Sequence, residues 1–298
     1  MDRCLSNLKK FKRGVRMQVN HKYNIYMFIA TIFFGMTYVL TKICLNYSTE
    51  FHIISFRFSI AFIISLIFLH KKIFPIKRRE FFYSLLLGGL LFLIFITMTI
   101  GVKYTTATNA SFLVSLSVIF IPFFSWVFNK EKPKKSIFLV LIIVLIGIML
   151  LTLDKNLELH IGDILCLICS LLFSFHVLIT ERFVKTNNPI TLGVLQFGEV
   201  AILSFLVQYP IEKFTLPKDE KFWISLLILS VFCTVLAYII QTISQKKLSS
   251  TLIGLILSLE PIFSGIFGYF FLNEYLTFQQ YVGAFLLLIS VIYVSVKN

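Results

Sequence analysis

Charged residues are scarce in this chain of 298 residues. Asp, Glu, Lys and Arg make up only 14% of it, whereas a soluble domain carries roughly a quarter. Hydrophobic residues make up 58%, which is more apolar surface than a soluble fold of this size could bury. The composition therefore excludes a soluble enzyme and a disordered chain, and it predicts an integral membrane protein.

Cysteine is also scarce, and the five cysteines are an odd number that indicates no disulfide framework. Cys166 and Cys169 form a C-x-x-C inside an apolar run without nearby ligands, so packing is the better interpretation, and no metal site is predicted. The chain has no G-x-x-x-x-G-K-[ST], no H-E-x-x-H and no D-x-x-x-D. These absences argue against an ATP-driven pump and against a membrane-embedded enzyme, and no cofactor is predicted.

Long apolar runs fill most of the chain. A helix needs about 20 apolar residues to cross a bilayer, and these runs are too long and too uniform for barrel strands. They predict an all-α membrane protein of ten spanning helices with short connections. The ten runs lie near 25–46, 52–69, 82–101, 105–128, 136–153, 161–180, 190–208, 222–244, 249–272 and 278–296.

The distribution of basic residues predicts the orientation. With the N-terminus in the cytoplasm, 21 of the 28 Lys and Arg lie on the cytoplasmic side and 5 lie outside. We therefore expect a multi-pass protein of the cell membrane with both termini cytoplasmic. Residues 1–24 form a basic tail before an uncleaved first span, although Met17 remains an alternative start. Basic clusters between apolar runs favour anionic lipid headgroups as partners over nucleic acid.

The sequence also repeats itself weakly. At an offset of 143 residues, Ser115–Phe120 matches Ser258–Phe263, and at an offset of 139 Arg57-Phe58 matches Gln196-Phe197. These matches predict two five-helix halves, 25–153 and 161–296. Because five is odd, the second half would enter the membrane inverted, as in many secondary transporters that alternate between two access states.

Several of these segments resemble the EamA family of the drug/metabolite transporter superfamily. The resemblance implies ten helices in two inverted repeats, with a central cavity through which members carry amino acids, other small metabolites or drugs, often outward. Phe34 departs from the family pattern, where tryptophan is common, and Ser117-Val118 stands where the second repeat has Glu260-Pro261. The resembling segments are Phe34–Lys42, Arg57-Phe58, Gly162-Asp163, Leu259–Phe263 and Asn273-Glu274.

Charged groups in the apolar runs are the first candidates for a solute site, since a central charge costs about 2.5–3.5 kcal/mol on insertion scales. Glu199 and Glu260 are expected near the midplane, with Gln196 on the same helix face as Glu199. They could bind a solute ammonium or exchange a proton, or make structural bonds only. Arg57 could bind a solute carboxylate, pair with a buried glutamate, or extend to the headgroups.

The other candidates are polar residues that could line the cavity and prolines that could change the direction of a helix. His176, Tyr38, Asn109 and Gln241 are further candidates for lining the cavity, each with a structural alternative. Pro122 and Pro261 lie on small-residue faces of matching spans. Each proline removes a backbone hydrogen bond, so each could be a hinge or a fixed kink.

These features together predict a secondary transporter, an exporter of small organic solutes, with a proton as a possible coupling ion. A carrier or flippase for a lipid headgroup or a sugar-phosphate is the alternative. The oligomeric state is not predicted.

Overall fold

The computed structural model describes residues 2–129, 135–152, 160–211, 216–275 and 277–297. Met1, the basic residues within 130–134, and Lys155 and Lys213 entered the predictions about the start and the orientation, and they lie outside the described residues.

Every described secondary-structure element is a helix, as expected for an apolar chain whose backbone must satisfy its own hydrogen bonds in lipid. The helices are α1 Asp2–Leu45, α2 Glu50–Ile73, α3 Arg78–Tyr104, α4 Ala107–Ser115, α5 Ser117–Asn129, α6 Lys135–Thr152, α7 Ile161–Val184, α8 Pro189–Ile211, α9 Glu220–Ser230, a π-helical turn Val231–Leu236, α10 Ala237–Gln245, α11 Ser250–Leu257, α12 Glu260–Leu272 and α13 Phe278–Lys297.

Within the described residues, eight helical segments are long and apolar enough to cross a membrane. They are α2, α3, α7, α8, the part His21–Leu45 of α1, and three segments built from consecutive helices: α4 with α5, α9 through α10, and α11 with α12. Helices α6 and α13 occupy the positions of the predicted fifth and tenth spans. The all-helical membrane fold is therefore confirmed, whereas the count of ten crossings stays a prediction.

Two of the spans are broken near their centres. One break lies at Leu116, between α4 and α5, and the other at Ser258 and Leu259, between α11 and α12. Pro261 is the second residue of α12, in the first turn, where the missing N–H of a proline costs no intrahelical hydrogen bond.

The sequence predicts a kink or a hinge at Pro122, and that role stays a prediction. Pro122 lies inside α5, and the discontinuity comes earlier, at Leu116. A proline releases the carbonyl four residues before it, which here belongs to Val118 in the first turn of α5.

The span from Glu220 to Gln245 contains a π-helical turn. In this turn the Thr234 hydroxyl donates to the carbonyl of Leu229, five residues earlier, at 2.9 Å. Turns of this kind occur frequently at functional sites because they displace side chains from the regular helical positions.

The helices pack into one bundle whose interior is mostly apolar. The most extensive contacts join α2 to α8, α3 to α7 and α8, α6 to α13, and α1 to α12 and α10. Large apolar side chains also cover the outside, such as Tyr209, which is 91% exposed, and Phe270, which is 72% exposed. An apolar exterior of this kind fits a bilayer and not water.

Candidate functional site

Glu260 lies at the break between α11 and α12, where the chain brings a carboxylate into the bundle. The residue is 4% exposed, and its Oε2 accepts a hydrogen bond from the Tyr38 hydroxyl of α1 at 3.1 Å. Helices α1 and α12 come this close because Gly35 lacks a side chain, since a Cβ atom there would lie 2.6 Å from the Cβ of Phe263. The small residue therefore positions the carboxylate against its tyrosine partner.

Arg57 is a fully buried cation on α2, 1% exposed. Its Nε donates to the Thr234 hydroxyl at 2.7 Å, and its Nη2 donates to the carbonyl of Cys233 at 3.4 Å. Both partners belong to the π-helical turn. The guanidinium also lies 4.6 Å from the centre of the Phe95 ring, a cation–π contact. No described carboxylate is paired with Arg57.

Tyr238 of α10 is buried in the same part of the bundle, 3% exposed. Its ring packs edge to face on Phe34 at 5.0 Å and also contacts Phe95 and Phe197. The centre of the bundle is thus an aromatic cluster that holds one cation and one carboxylate. Sequence reasoning missed Tyr238 because a tyrosine in an apolar run gives no signal that separates it from a packing residue.

His176 and Gln196 form a contact next to Tyr238. The His176 Nε2 and the Gln196 Oε1 are 2.9 Å apart, and the imidazole ring lies 6.5 Å from the Tyr238 ring. Gln241 of α10 is 1% exposed, and neither of its side-chain polar atoms has a hydrogen-bond partner. The structure therefore brings six of the sequence candidates into one region: Glu260, Tyr38, Arg57, His176, Gln196 and Gln241.

Two other candidates lie elsewhere. Glu199 is half-buried between α8 and α3, where its Oε1 accepts from the Ser84 hydroxyl at 2.6 Å. It therefore contacts α3, while Gln196, one turn earlier, contacts α7. Asn109 lies at the start of α4, and its Nδ2 donates to Asp163 Oδ1 at 2.8 Å. Neither residue contacts the Arg57–Glu260 region.

The Asn273-Glu274 pair, noted in the sequence only as a motif, connects the end of α12 to the start of α4. Asn273 ends α12 with a left-handed backbone (φ 57°), a conformation that asparagine tolerates well. The turn directs the Glu274 carboxylate to the N-terminus of α4. There it accepts from the backbone nitrogens of Ala107 at 3.0 Å and Thr108 at 3.1 Å, and from the Thr108 hydroxyl at 2.6 Å. A negative charge at a helix N-terminus is stabilising.

The charged side chains in the centre can bind groups of the opposite charge. Arg57 offers donors for a carboxylate or a phosphate, and Glu260 offers an acceptor for an ammonium group. Among the residues that the structure describes, no group of three or more His, Cys, Asp and Glu side chains is arranged to hold a metal ion.

An apolar helical bundle with charged groups buried at its centre defines a multi-pass membrane protein. The model of the EamA-like transporter family matches the chain twice, over residues 21–153 and 160–296. The chain belongs to this family.

Known relatives agree with this assignment. An "Uncharacterized transporter" of Archaeoglobus fulgidus is 33% identical over 272 residues, covering 90% of this chain and 84% of its own. The "Uncharacterized transporter YyaM" of Bacillus subtilis is 23% identical, covering 91% of this chain and 93% of its own. One crystal structure superposes with a TM-score of 0.77 at 14% identity, covering 93% of this chain and 97% of that one, which shows a shared fold.

Proposed function

We propose that this protein is a secondary transporter that exports small zwitterionic solutes, such as amino acids, by alternating access around the Arg57–Glu260 region. One observation carries the proposal. Arg57 and Glu260 are both buried, and neither has an ion-pair partner among the described residues. A solute with a carboxylate and an ammonium group would supply a counter-charge for each, which offsets the cost of burying them.

The proposal also includes two inverted five-helix repeats, over residues 25–153 and 161–296. The pattern of helix contacts supports it. Exchanging α1, α2 and α3 with α7, α8 and the α9–α10 segment turns the α3–α7 contact into the contact of α9–α10 with α1. The same exchange turns the α3–α8 contact into the contact of α9 with α2, and it leaves the α2–α8 pair unchanged.

Two matching atomic contacts support the repeats in more detail. Gly35 of α1 lies against the backbone carbonyl of Glu260, so that an added Cβ would be 2.8 Å from it. Ser174 of α7, 139 residues after Gly35, donates to the carbonyl of Ser117 at 3.4 Å. Ser117 precedes Glu260 by 143 residues, so both contacts join equivalent positions of the two halves.

A proton is the coupling ion that we propose, and Glu199 is the group that would carry it. Its Oε2 is buried with no hydrogen-bond partner, and no cation is paired with it in the described part of the chain. The carboxylate lies against Gly88 and Ser84 of α3, away from Glu260. Separate positions would let a proton and a solute bind to one protein in turn.

A carrier or flippase for a lipid headgroup or a sugar-phosphate is the second candidate, because Arg57 could also bind a phosphate. The Glu260 carboxylate in the same region disfavours a doubly charged anion, which supports the zwitterion. Orientation with both termini in the cytoplasm and a place in the cell membrane belong to the proposal as well, and the Lys and Arg count supports them.

The test starts with metabolites released by cells with and without the protein. Solutes that differ are then loaded as radiolabelled compounds into proteoliposomes. Glu260→Gln should abolish transport, and Glu199→Gln should leave exchange of solute but remove the effect of a pH gradient. Glu50→Gln is the matched control, since Glu50 pairs with Lys103 at a helix end and should transport normally.

Wild-type transport rates in Glu260→Gln would contradict the solute site. An unchanged response of Glu199→Gln to the pH gradient would contradict proton coupling through that residue. Faster movement of a phosphorylated solute than of any zwitterion would favour the second candidate.

A further inference from the structure

Buried polar side chains on α7, α8 and α10 form a group that the Arg57–Glu260 proposal does not use. Gln241 is the most unusual of them, because both polar atoms of its fully buried carboxamide lack a partner. Burial of an amide without hydrogen bonds is costly, so natural proteins almost always satisfy such groups. A group left open in this way at the centre of a carrier points to a ligand.

Gln241 is fixed between two contacts with α7. Tyr238 precedes it by three residues and Gln245 follows it by four, so all three share one face of α10. The Tyr238 ring lies 6.5 Å from the His176 ring, and the Gln245 Nε2 donates to the carbonyl of Val177 at 2.9 Å. Gln241 therefore lies on the face of α10 that packs against α7 in the region of His176 and Val177.

The neighbouring His176 and Gln196 side chains each have one polar atom in a hydrogen bond and one without a partner. The Oε1 of Gln196 can only accept, so the His176 Nε2 donates in their 2.9 Å bond. That bond leaves the His176 Nδ1 as an acceptor and the Gln196 Nε2 as a donor, and both are buried without partners. Together with Gln241, the region offers donors and acceptors without a formal charge.

We propose that Gln241, Gln196 and His176 form a hydrogen-bonding subsite for an uncharged polar group of the solute, one that both donates and accepts, such as a hydroxyl or a carboxamide. The subsite rests on the proposed function, in which Arg57 and Glu260 hold the charged end. It makes Gln241 a residue that determines specificity. A site of this kind rejects an apolar analogue of equal shape, because its buried polar groups then stay unpaired.

A first experiment needs no solute. Gln241→Met replaces the unpaired amide by an apolar side chain, so the apparent melting temperature of the purified protein in lipid nanodiscs should stay unchanged or rise. The matched control is Gln208→Met. The buried Gln208 Oε1 accepts a hydrogen bond from the Ser55 hydroxyl at 2.9 Å, and loss of this bond should lower the melting temperature. An equal decrease in Gln241→Met would overturn the subsite.

A second experiment measures binding of radiolabelled amino acids in pairs of similar shape, threonine with valine and asparagine with leucine. The wild-type protein should prefer the polar member of at least one pair by about tenfold to a hundredfold, and the pair that responds distinguishes a hydroxyl from a carboxamide. Gln241→Met should remove the preference while still binding the apolar member, and Gln208→Met should keep it.

Equal binding within both pairs, or a preference that survives Gln241→Met, would overturn the subsite and leave the Arg57–Glu260 proposal intact. If no amino acid of either pair binds to the wild-type protein, the zwitterionic solute class is wrong, and the subsite proposal fails with it.

Discussion

Replacement of Gly35 by alanine should separate α1 from α12 and disrupt the contact between Tyr38 and Glu260. A Cβ atom at this position would lie 2.6 Å from the Cβ of Phe263 and 2.8 Å from the carbonyl oxygen of Glu260, whereas ordinary contacts are 3.4–4 Å. The two helices would have to move apart by about 1 Å, since interiors are closely packed. The same movement would stretch the 3.1 Å bond from Tyr38 beyond hydrogen-bond distance.

The free energies can be compared with a control in the same bundle. Overpacking costs about 1–3 kcal/mol, and leaving a buried hydrogen-bonding group unsatisfied costs about 1–3 kcal/mol more. Alanine in place of glycine stabilises a helix by only about 0.5–1 kcal/mol. Gly35→Ala should thus lose about 1–5 kcal/mol in net stability. Gly89→Ala should gain only the stabilisation from the higher helix propensity of alanine, because nothing lies within 4 Å of a Cβ atom at this position.

Apparent melting temperatures in lipid nanodiscs, followed by intrinsic fluorescence, compare the two variants directly. Gly35→Ala should melt below the wild type by several degrees and Gly89→Ala at or slightly above it. Gly35→Ala should also transport more slowly, since the carboxylate is displaced. A melting temperature of Gly35→Ala equal to that of Gly89→Ala would refute the close approach of α1 and α12.

Three further predictions follow from named contacts. Glu274→Gln should lower stability by about 1.5–3 kcal/mol, since the charge-assisted bonds to the start of α4 are weakened. Glu50→Gln should change stability by at most about 1 kcal/mol, because the Glu50–Lys103 pair is partly exposed. Thermal melts of both variants check this prediction, and equal shifts in melting temperature would contradict it. Arg57→Lys should keep the fold but lose most transport, since lysine lacks the Nε–H that bonds to Thr234; wild-type transport would count against the site. Thr234→Val should weaken transport less than Arg57→Lys, and a larger effect would mean that the π-helical turn itself is the critical element.

The fold could be predicted largely from hydrophobic length, because lipid forces each long apolar run into a helix. The candidates Glu260, Arg57 and His176 could be found for a similar reason, since polar groups in apolar runs are rare and costly. Their partners could not be found. The bond between Tyr38 and Glu260 joins positions 222 residues apart, which no local pattern reveals.

Glu199 and Asn109 show where counting along a helix is insufficient. Residues three apart differ in direction by about 60°, which was enough to point Gln196 at α7 and Glu199 at α3. The capping role of Glu274 was hidden for another reason. It depends on the left-handed turn at Asn273, and a single asparagine after an apolar run predicts a helix end but not the direction in which the chain leaves it.

Sidedness of two equivalent residues tests the central claim of opposed repeats most directly. His21 and His160 lie 139 residues apart, near the starts of the first and sixth spans, and both are exposed. In a variant without the native cysteines, His21→Cys and His160→Cys would be labelled one at a time, in intact cells, with a membrane-impermeant thiol reagent. The account predicts labelling of the variant at 160 only, with the variant at 21 reacting after the membrane is opened. Labelling of both from the same side would contradict it.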